Sequence, residues 1–192
     1  MKNIILASSS VHRKKLMKQL KINFKTISPD IDESRKKNEN VQLFVKRLSI
    51  EKATKVASMS KNSIVIGSDE IAVVGTKILG KPNTITNAEK QLKLISGKKI
   101  VFKTGVCVID ADTKKMYASV VDYSVKMKKL TKQQIINYIN KEDILNCAAS
   151  IRMEGLAIAL IEKANGRDPS SIIGLPLIMV TKYLKNLGYN IL

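Results

Sequence analysis

The sequence predicts an α/β fold, with a mixed, twisted sheet flanked by helices and a smaller lobe that forms a substrate cleft. Two observations indicate this class. Segments with helical spacing alternate with apolar or alternating runs that are typical of strands. No internal repeat or low-complexity linker divides the 192 residues, which are enough for one good core. We therefore expect a single domain over residues 1–192, with the small lobe at about residues 96–130.

The first elements follow directly from the hydrophobic pattern. Asn3–Ala7 is a short apolar run and predicts a buried strand. Ser10 is a good N-cap for a helix over Val11–Leu20, whose apolar residues lie on one helical face. Ile22–Ser28 alternates between apolar and polar residues, which predicts a second strand.

The middle of the chain continues the alternation. Val41–Ser58 has apolar residues at helical spacing. The run Ile64–Gly67 predicts a strand that ends in Gly-Ser-Asp-Glu, and Ile71–Val74 follows as a further apolar run. Thr86–Glu89 has the spacing of a capping box, so we expect the next helix over Asn87–Ile95.

The last third of the chain predicts a hairpin and two more helices. Lys99–Ile109 and Lys115–Met127 alternate as long strands on either side of a turn. Thr131–Lys141 has a helical pattern with threonine as its cap. Ile151–Ile161 is strand-like with a glycine break, and Pro176–Leu187 predicts the final helix.

Composition limits the classes of function. No apolar run approaches the roughly 20 residues that span a bilayer, so we expect a cytoplasmic protein with no membrane partner. The net charge is +18, but the lysines are scattered and there is no tryptophan to stack on bases, so a nucleic-acid partner is not favoured. Cys107 and Cys147 match no zinc spacing and are interpreted as reduced thiols.

The most informative stretch is Asp69–Glu70 at the predicted strand end, followed by Lys81 in a Gly-Lys-Pro turn. Carboxylates at the edge of an open sheet, with a fixed positive charge, suit a phosphate bound through Mg²⁺ or Mn²⁺. The alternative interpretation is a solvated strand end.

A second candidate lies in the serine-rich turn before the first helix. The hydroxyls of Ser8 and Ser10, the amides of the helix N-terminus and the guanidinium of Arg13 could together bind an anion such as phosphate. The alternative is simple capping by Ser10. His12 is the single histidine, so a hydrolytic triad and a zinc site are both improbable.

Three further residues carry little weight alone. Glu33 lies in an acidic turn, Lys52 lies in a predicted helix, and both are ordinarily solvated. Glu154 precedes a glycine after a stretch of small residues, Asn146–Ser150. Small residues there predict either that a ligand approaches the backbone closely or that the chain passes through a tightly packed core.

Six motifs occur in an order and spacing that resemble those of the Maf-like nucleoside triphosphate pyrophosphatases, over essentially the whole chain. These motifs are Ala7–Arg13, Asp30–Glu33, Glu51–Ala53, Gly67–Asp69, Leu79–Pro82 and Gly174–Pro176. Cys147–Ser150, Glu154–Gly155 and Gly166–Pro169 resemble the branch that hydrolyses 7-methyl-GTP. The resemblance implies a Maf/ITPase-like fold, a small-molecule nucleotide substrate and a divalent cation, and it allows a homodimer.

The resemblance also implies roles for individual residues. Asp69 matches the catalytic aspartate that accepts a proton. The positions that match base-specificity residues are His12, Glu70 and Glu154, and those that match the triphosphate and metal site are Ser8, Arg13, Glu33, Lys52 and Lys81. Glu33 and Asp69 are the expected metal ligands. Valine at position 11, histidine at 12 and glutamate at 70 depart from the usual proline, large aromatic ring and glutamine.

These inferences predict hydrolysis of 7-methyl-GTP to 7-methyl-GMP and pyrophosphate, which would remove modified nucleotides. Carboxylates at positions 70 and 154 suit a methylated guanine, since N7-methylation gives the ring a positive charge. Two alternatives stay open. One is a dTTP or UTP pyrophosphatase of the same fold, and the other is a non-catalytic nucleic-acid-binding or septum-regulating protein.

Overall fold

The computed structural model describes residues 2–192, and their contacts divide into two compact units. Within the described residues, unit 1 comprises residues 2–70, Thr104–Val121 and Asp168–Leu192. Unit 2 comprises Ile71–Lys103 and Asp122–Arg167. The hairpin expected to form the small lobe therefore contributes residues to both units.

Helices and strands interleave along the described residues, as the sequence predicts. The strands are β1 (Asn3–Ala7), β2 (Phe24–Ile27), β3 (Ser63–Val74), β4 (Lys77–Leu79), β5 (Lys99–Asp110), β6 (Met116–Met127) and β7 (Ile161–Gly166). The helices are α1 (Val11–Gln19), α2 (Val41–Ala57), α3 (Ile85–Ile95), α4 (Lys132–Lys141), the short α5 (Ala157–Leu160) and α6 (Leu177–Asn186). No helix within residues 2–192 has the length and apolar character needed to cross a membrane.

The strands form one mixed sheet in the order β2–β1–β3–β5–β6–β7, with β4 paired to β3. β1 runs parallel to both β2 and β3. The pairs β3–β4 and β6–β7 are antiparallel. This arrangement confirms the predicted α/β class with a mixed sheet.

In unit 1 the alternation of side chains along the strands builds two separate cores. One face of the sheet contributes Ile4 and Ile66 to a cluster with residues of α1 and α6. The other face contributes Ile5 and Val65 to a cluster with Ala53 and other residues of α2. The central strands are therefore covered on both faces, which explains their nearly continuous apolar runs.

Unit 2 has its own buried side chains and well-capped helices. The buried apolar residues include Leu92, Ile95, Ile100, Phe102, Val125, Met127, Ile135 and Tyr138. Thr131 caps α4 in a complete capping box with Gln134. The backbone N–H of Gly97 bonds to the carbonyl of Lys128, which joins the end of α3 to the end of β6.

Three sequence predictions are wrong in detail. β3 runs unbroken to Val74, so Asp69 and Glu70 lie inside the strand and not at its end. The N-cap of α3 is Thr84, whose hydroxyl accepts from the N–H of Asn87, and the helix begins at Ile85 before the expected capping box. Residues 151–160 form a turn and the short α5 instead of the expected strand, and β7 begins only at Ile161, where that strand is predicted to end.

An ion pair at the start of α2 gives stability that depends on pH. Two nitrogens of Arg47 donate to the carboxylate of Glu39 at 2.6 and 2.8 Å. These hydrogen bonds lower the pKa of Glu39 from 4.5 to about 2, against an opposing effect of desolvation. Because the folded-state pKa is depressed, the contribution to stability is complete above pH 4.5 and is lost as the pH falls towards 2.

We therefore expect Glu39→Gln to lower the urea midpoint of unfolding at pH 7, with the difference from wild type shrinking as the pH falls below 4.5. Urea titrations at several values between pH 7 and pH 2.5 measure this difference. Glu162→Gln, at an exposed carboxylate of β7, is the charge-matched control. A difference that stays constant down to the lowest pH contradicts the assignment.

Candidate active site

α2 lies unusually close to the sheet because two glycines, which have no side chains, face it. A Cβ atom added at Gly67 would collide with the backbone of Ser49 and lie 2.7 Å from the nitrogen of Ala53. One added at Gly105 of β5 would collide with the backbone of Val45. Because side chains alternate along a strand, Asp69 faces the same helix as Gly67. The close packing thus brings α2 within reach of the Asp69 carboxylate.

Lys52 of α2 makes that contact and holds two carboxylates at once. Its ammonium lies 2.7 Å from Oδ1 of Asp69 and 2.9 Å from Oε1 of Glu33. Lys52 and Asp69 are both buried, whereas the side chain of Glu33 is 57% exposed. Burying a lone charge is costly, so the contact between these two buried side chains stabilises both of them. Three residues predicted from separate motifs therefore meet at one point in unit 1.

Asp69 and Glu70 point to opposite faces of the sheet, because they are neighbours inside a strand. The sequence interpretation of a carboxylate pair at a strand end is corrected accordingly. On the face away from Lys52, an oxygen of Glu70 lies 3.4 Å from the hydroxyl of Thr104. That hydroxyl donates to the carbonyl of Ser171 at 2.8 Å. Glu70 is thus placed beside buried polar groups of β5 and of the turn before α6.

The serine-rich turn is built as a compact polar loop. Ser10 caps α1 by accepting from the N–H of Arg13, and its own N–H donates to the hydroxyl of buried Ser8. Nε of Arg13 donates to the carbonyl of Gly174 at 2.8 Å, and Nη1 lies 3.5 Å from the Ser8 hydroxyl. His12 is half-buried in the first turn of the helix. The structure therefore brings these four predicted residues together.

The carbonyl of Gly174 connects this loop to β3. It accepts from Arg13 and lies 2.8 Å from the hydroxyl of Ser68. The same hydroxyl lies 2.7 Å from the carbonyl of Gly105. Gly174 has φ +108°, a conformation that favours glycine, and a Cβ there would lie 3.3 Å from Nε of Arg13. The hydrogen bond to the Gly174 carbonyl therefore holds the Arg13 side chain in one direction.

Unit 2 contains the other two predicted site residues, Lys81 and Glu154, both exposed. Lys81 follows Gly80, whose carbonyl accepts from the side-chain amide of Gln91 at 3.1 Å and from the N–H of Ala149 at 3.2 Å. The Gly-Lys-Pro turn is thereby tied to α3 and to the small-residue stretch.

The small-residue stretch is strained. Ala149 and Ser150 both have positive φ, at 54° and 59°, which non-glycine residues rarely adopt. The hydroxyl of Ser150 donates to Oε1 of Gln91 at 2.7 Å, and Ala149 is fully buried. Strain of this kind costs about 1–3 kcal/mol per residue and persists only where the surroundings impose it. The stretch is therefore a tightly packed crossing within unit 2, as one of the two sequence interpretations expects.

The carboxylates of Glu33 and Asp69 both contact the ammonium of Lys52. No group of three or more His, Cys, Asp or Glu side chains within residues 2–192 is arranged to hold a metal ion. Mg²⁺, however, is commonly bound by one or two carboxylates together with substrate phosphates. Two carboxylate oxygens that already share one cation, the Lys52 ammonium, suit that mode of binding.

Sequence reasoning missed several residues that support the candidates. Ser68 of β3 and Thr104 of β5 carry hydroxyl groups beside apolar runs of their strands, and both are fully buried. A polar residue in a buried run needs a partner, so their position in the pattern is the signal that could have revealed them. Gln91, which holds the Lys81 turn, leaves no such signal because its position on a helix surface is ordinary.

Comparison with known proteins places the chain in a family. A model of the Maf-like protein family matches residues 3–187. The "7-methyl-GTP pyrophosphatase" of Colwellia psychrerythraea (strain 34H) is 44% identical over 192 residues, which cover 100% of this chain and 96% of that protein. The protein of the same name from Nitrosococcus oceani is 42% identical over 189 residues, with 98% and 95% covered.

Among solved structures, the HAM1 protein from Coxiella burnetii matches with a TM-score of 0.45 and 14% identity, over 69% of this chain and 76% of that chain. A likeness of this size carries no functional argument. The family match and the full-length relatives suffice: the chain belongs to the Maf-like protein family.

Proposed function

We propose that the protein is a nucleoside triphosphate pyrophosphatase that hydrolyses 7-methyl-GTP to 7-methyl-GMP and pyrophosphate. The observation that carries the proposal is the buried Asp69 carboxylate, held at 2.7 Å by Lys52 on a face that also receives Glu33. Full-length relatives with the name 7-methyl-GTP pyrophosphatase, at 42–44% identity, support the substrate.

Asp69 is the proposed proton acceptor. Its Oδ1 accepts a hydrogen bond from the Lys52 ammonium. Its Oδ2 is the proposed acceptor of the proton from the water that attacks the α-phosphorus. Fixing one oxygen by a buried ammonium holds the other in one orientation, which is what general-base catalysis requires. The bond that breaks joins the α-phosphorus to the oxygen bridging it to the β-phosphorus, and pyrophosphate leaves.

Arg13, Ser8, Ser10 and the amides at the start of α1 are the proposed phosphate ligands of unit 1. A helix N-terminus favours anions, and a guanidinium held by the Gly174 carbonyl keeps its remaining N–H groups for phosphate oxygens. Lys52 supplies further positive charge, and Lys81 has the same proposed role. Charge that develops on the phosphates in the transition state is stabilised by such fixed groups.

Glu33 and Asp69 are the proposed ligands of a divalent cation, Mg²⁺ or Mn²⁺. When bound, such a cation neutralises phosphate charge and polarises the phosphorus–oxygen bond. The same two carboxylates contact Lys52, so that lysine holds them next to each other.

His12, Glu70 and Glu154 are the proposed base-specificity residues. A carboxylate accepts from both N1–H and the exocyclic amino group of guanine, and it attracts the positive charge of the 7-methylated ring. We therefore expect Glu154→Gln to lower the preference for 7-methyl-GTP over GTP, measured as the ratio of kcat/KM values. An unchanged ratio would show that Glu154 does not read the base.

The test of the function is a pyrophosphate-release assay over normal and modified nucleoside triphosphates, with Mg²⁺, with Mn²⁺ and with chelator. We expect release only with metal, and fastest from 7-methyl-GTP. Fastest release from dTTP or UTP would assign the other base preference. No release from any nucleotide, with binding to nucleic acid that weakens steeply with salt, would favour the non-catalytic alternative.

We propose a cytoplasmic location, because an enzyme that removes modified nucleotides would act where nucleotides are polymerised. The protein would be either a monomer or a homodimer. Light scattering at micromolar concentration distinguishes the two forms.

A further inference from the structure

Glu154 lies in the turn between Ile151 and α5, which is neither helix nor strand. Its position cannot come from a ladder of backbone hydrogen bonds, so it depends on the contacts that the turn makes with other elements. Two side chains at the end of α4 supply several of those contacts, within the same unit.

Glu142, at the end of α4, contacts the turn on both sides of Glu154. Its Oε2 accepts from Nη1 of Arg152 at 2.9 Å, and its Oε1 accepts from the N–H of Leu156 at 2.5 Å. The side chain of Glu142 is only 9% exposed. Hydrogen bonds to a charged, sheltered carboxylate are among the stronger ones in proteins. The Glu142 carboxylate therefore binds both Arg152 and Leu156, which lie two residues before and two residues after Glu154.

Tyr138 supplies a second point of attachment, one helical turn earlier on the same face of α4. Its hydroxyl accepts from the backbone N–H of Arg152 at 3.0 Å. Burial raises the pKa of this phenol, so the group stays protonated at neutral pH. The backbone and the side chain of Arg152 are thus held by two residues of one helix.

Gly155 shows how closely the turn packs on Glu142. A Cβ at position 155 would collide with Oε1 of Glu142 and lie 2.8 Å from its Cδ. The carboxylate therefore fills the space that a side chain would need. Nε of Arg152 is buried without a hydrogen-bond partner among the described residues, so the guanidinium depends on Glu142 to offset its burial.

We propose that Glu142 and Tyr138 are positioning residues that hold the Arg152–Leu156 turn and thereby set the selectivity of Glu154 for the base. The inference rests on the proposed role of Glu154. A displacement of the order of 1 Å is enough to spoil a bidentate contact. Neither positioning residue belongs to the phosphate or proton-transfer machinery proposed above, so their loss affects the choice of base more than the rate of hydrolysis.

The test compares Glu142→Gln and Tyr138→Phe with wild type, measuring kcat and KM on 7-methyl-GTP and on GTP. Glutamine keeps the shape of the side chain but weakens both bonds, and phenylalanine removes only the hydroxyl. We expect the ratio of kcat/KM values, methylated over unmethylated, to fall about tenfold in Glu142→Gln and less in Tyr138→Phe. The change is expected in KM for 7-methyl-GTP, with kcat on GTP within about twofold of wild type.

Glu89→Gln is the matched control, because Glu89 belongs to an exposed ion pair with Lys93 on α3 of the same unit. It should leave the ratio unchanged. A ratio that is unchanged in both positioning variants, or that falls equally in the control, overturns the inference. Should Glu142→Gln fail to fold, Tyr138→Phe and Gly155→Ala still test it through the same ratio. A wild type without activity on any nucleotide would instead refute the proposed function itself.

Discussion

Asp69→Asn is expected to lower kcat for pyrophosphate release by about 10²-fold or more, the usual size of a lost general base. Asparagine has nearly the same shape, and its Oδ1 can still accept from Lys52, so the fold should be kept. The loss should appear in kcat with little change in KM, because the proton is transferred only in the transition state. Steady-state kinetics on 7-methyl-GTP measure both constants.

The control for this variant is Asp122→Asn, which removes a half-exposed carboxylate paired with Lys103. It should keep wild-type kinetics. Turnover by Asp69→Asn close to that of wild type would show that Asp69 does not accept the proton, and its buried ion pair would then be structural.

The second large effect concerns Lys52. We expect Lys52→Met to lower the free energy of unfolding by about 3 kcal/mol, because it leaves the Asp69 carboxylate buried without its cation. Lys93→Met, at an ion pair whose lysine is 56% exposed, should change it by less than about 1 kcal/mol. Urea unfolding at pH 7 measures both values.

Combining Lys52→Met with Asp69→Asn should recover part of that loss, because asparagine carries no charge to leave unpaired. A coupling energy of about 1–3 kcal/mol in this double-mutant cycle is expected for two residues in direct contact. Independent, additive effects would show that the two side chains do not stabilise each other.

Much of the fold follows from local pattern. β1 and the caps of α1 and α4 were predicted at the observed residues, because apolar runs and capping residues act over a few positions. The meeting of Lys52 with Asp69 was expected only from family resemblance. This contact is possible because Gly67 has no side chain, so α2 can pack directly against the sheet. No local sequence pattern reveals this packing.

The predictions that the structure contradicts also fail because contacts distant in sequence decide the conformation. Ser68, Asp69 and Glu70 look like the end of a strand because three polar residues interrupt an apolar run. In the structure Ser68 and Asp69 are buried because distant residues satisfy them, among them Gly174 and Lys52. The turn that carries Glu154 was expected to be a strand for a related reason. Its conformation is set by Glu142 and Tyr138, which no spacing within the turn identifies.

The products formed from 7-methyl-GTP in the presence of Mg²⁺ test the central claim most directly. Anion-exchange chromatography separates the nucleoside mono- and diphosphates, and ³¹P NMR distinguishes pyrophosphate from phosphate. We expect equal amounts of 7-methyl-GMP and pyrophosphate from the wild type, and much slower formation of both by Asp69→Asn. Formation of 7-methyl-GDP and phosphate, or no reaction with the folded protein, would contradict it.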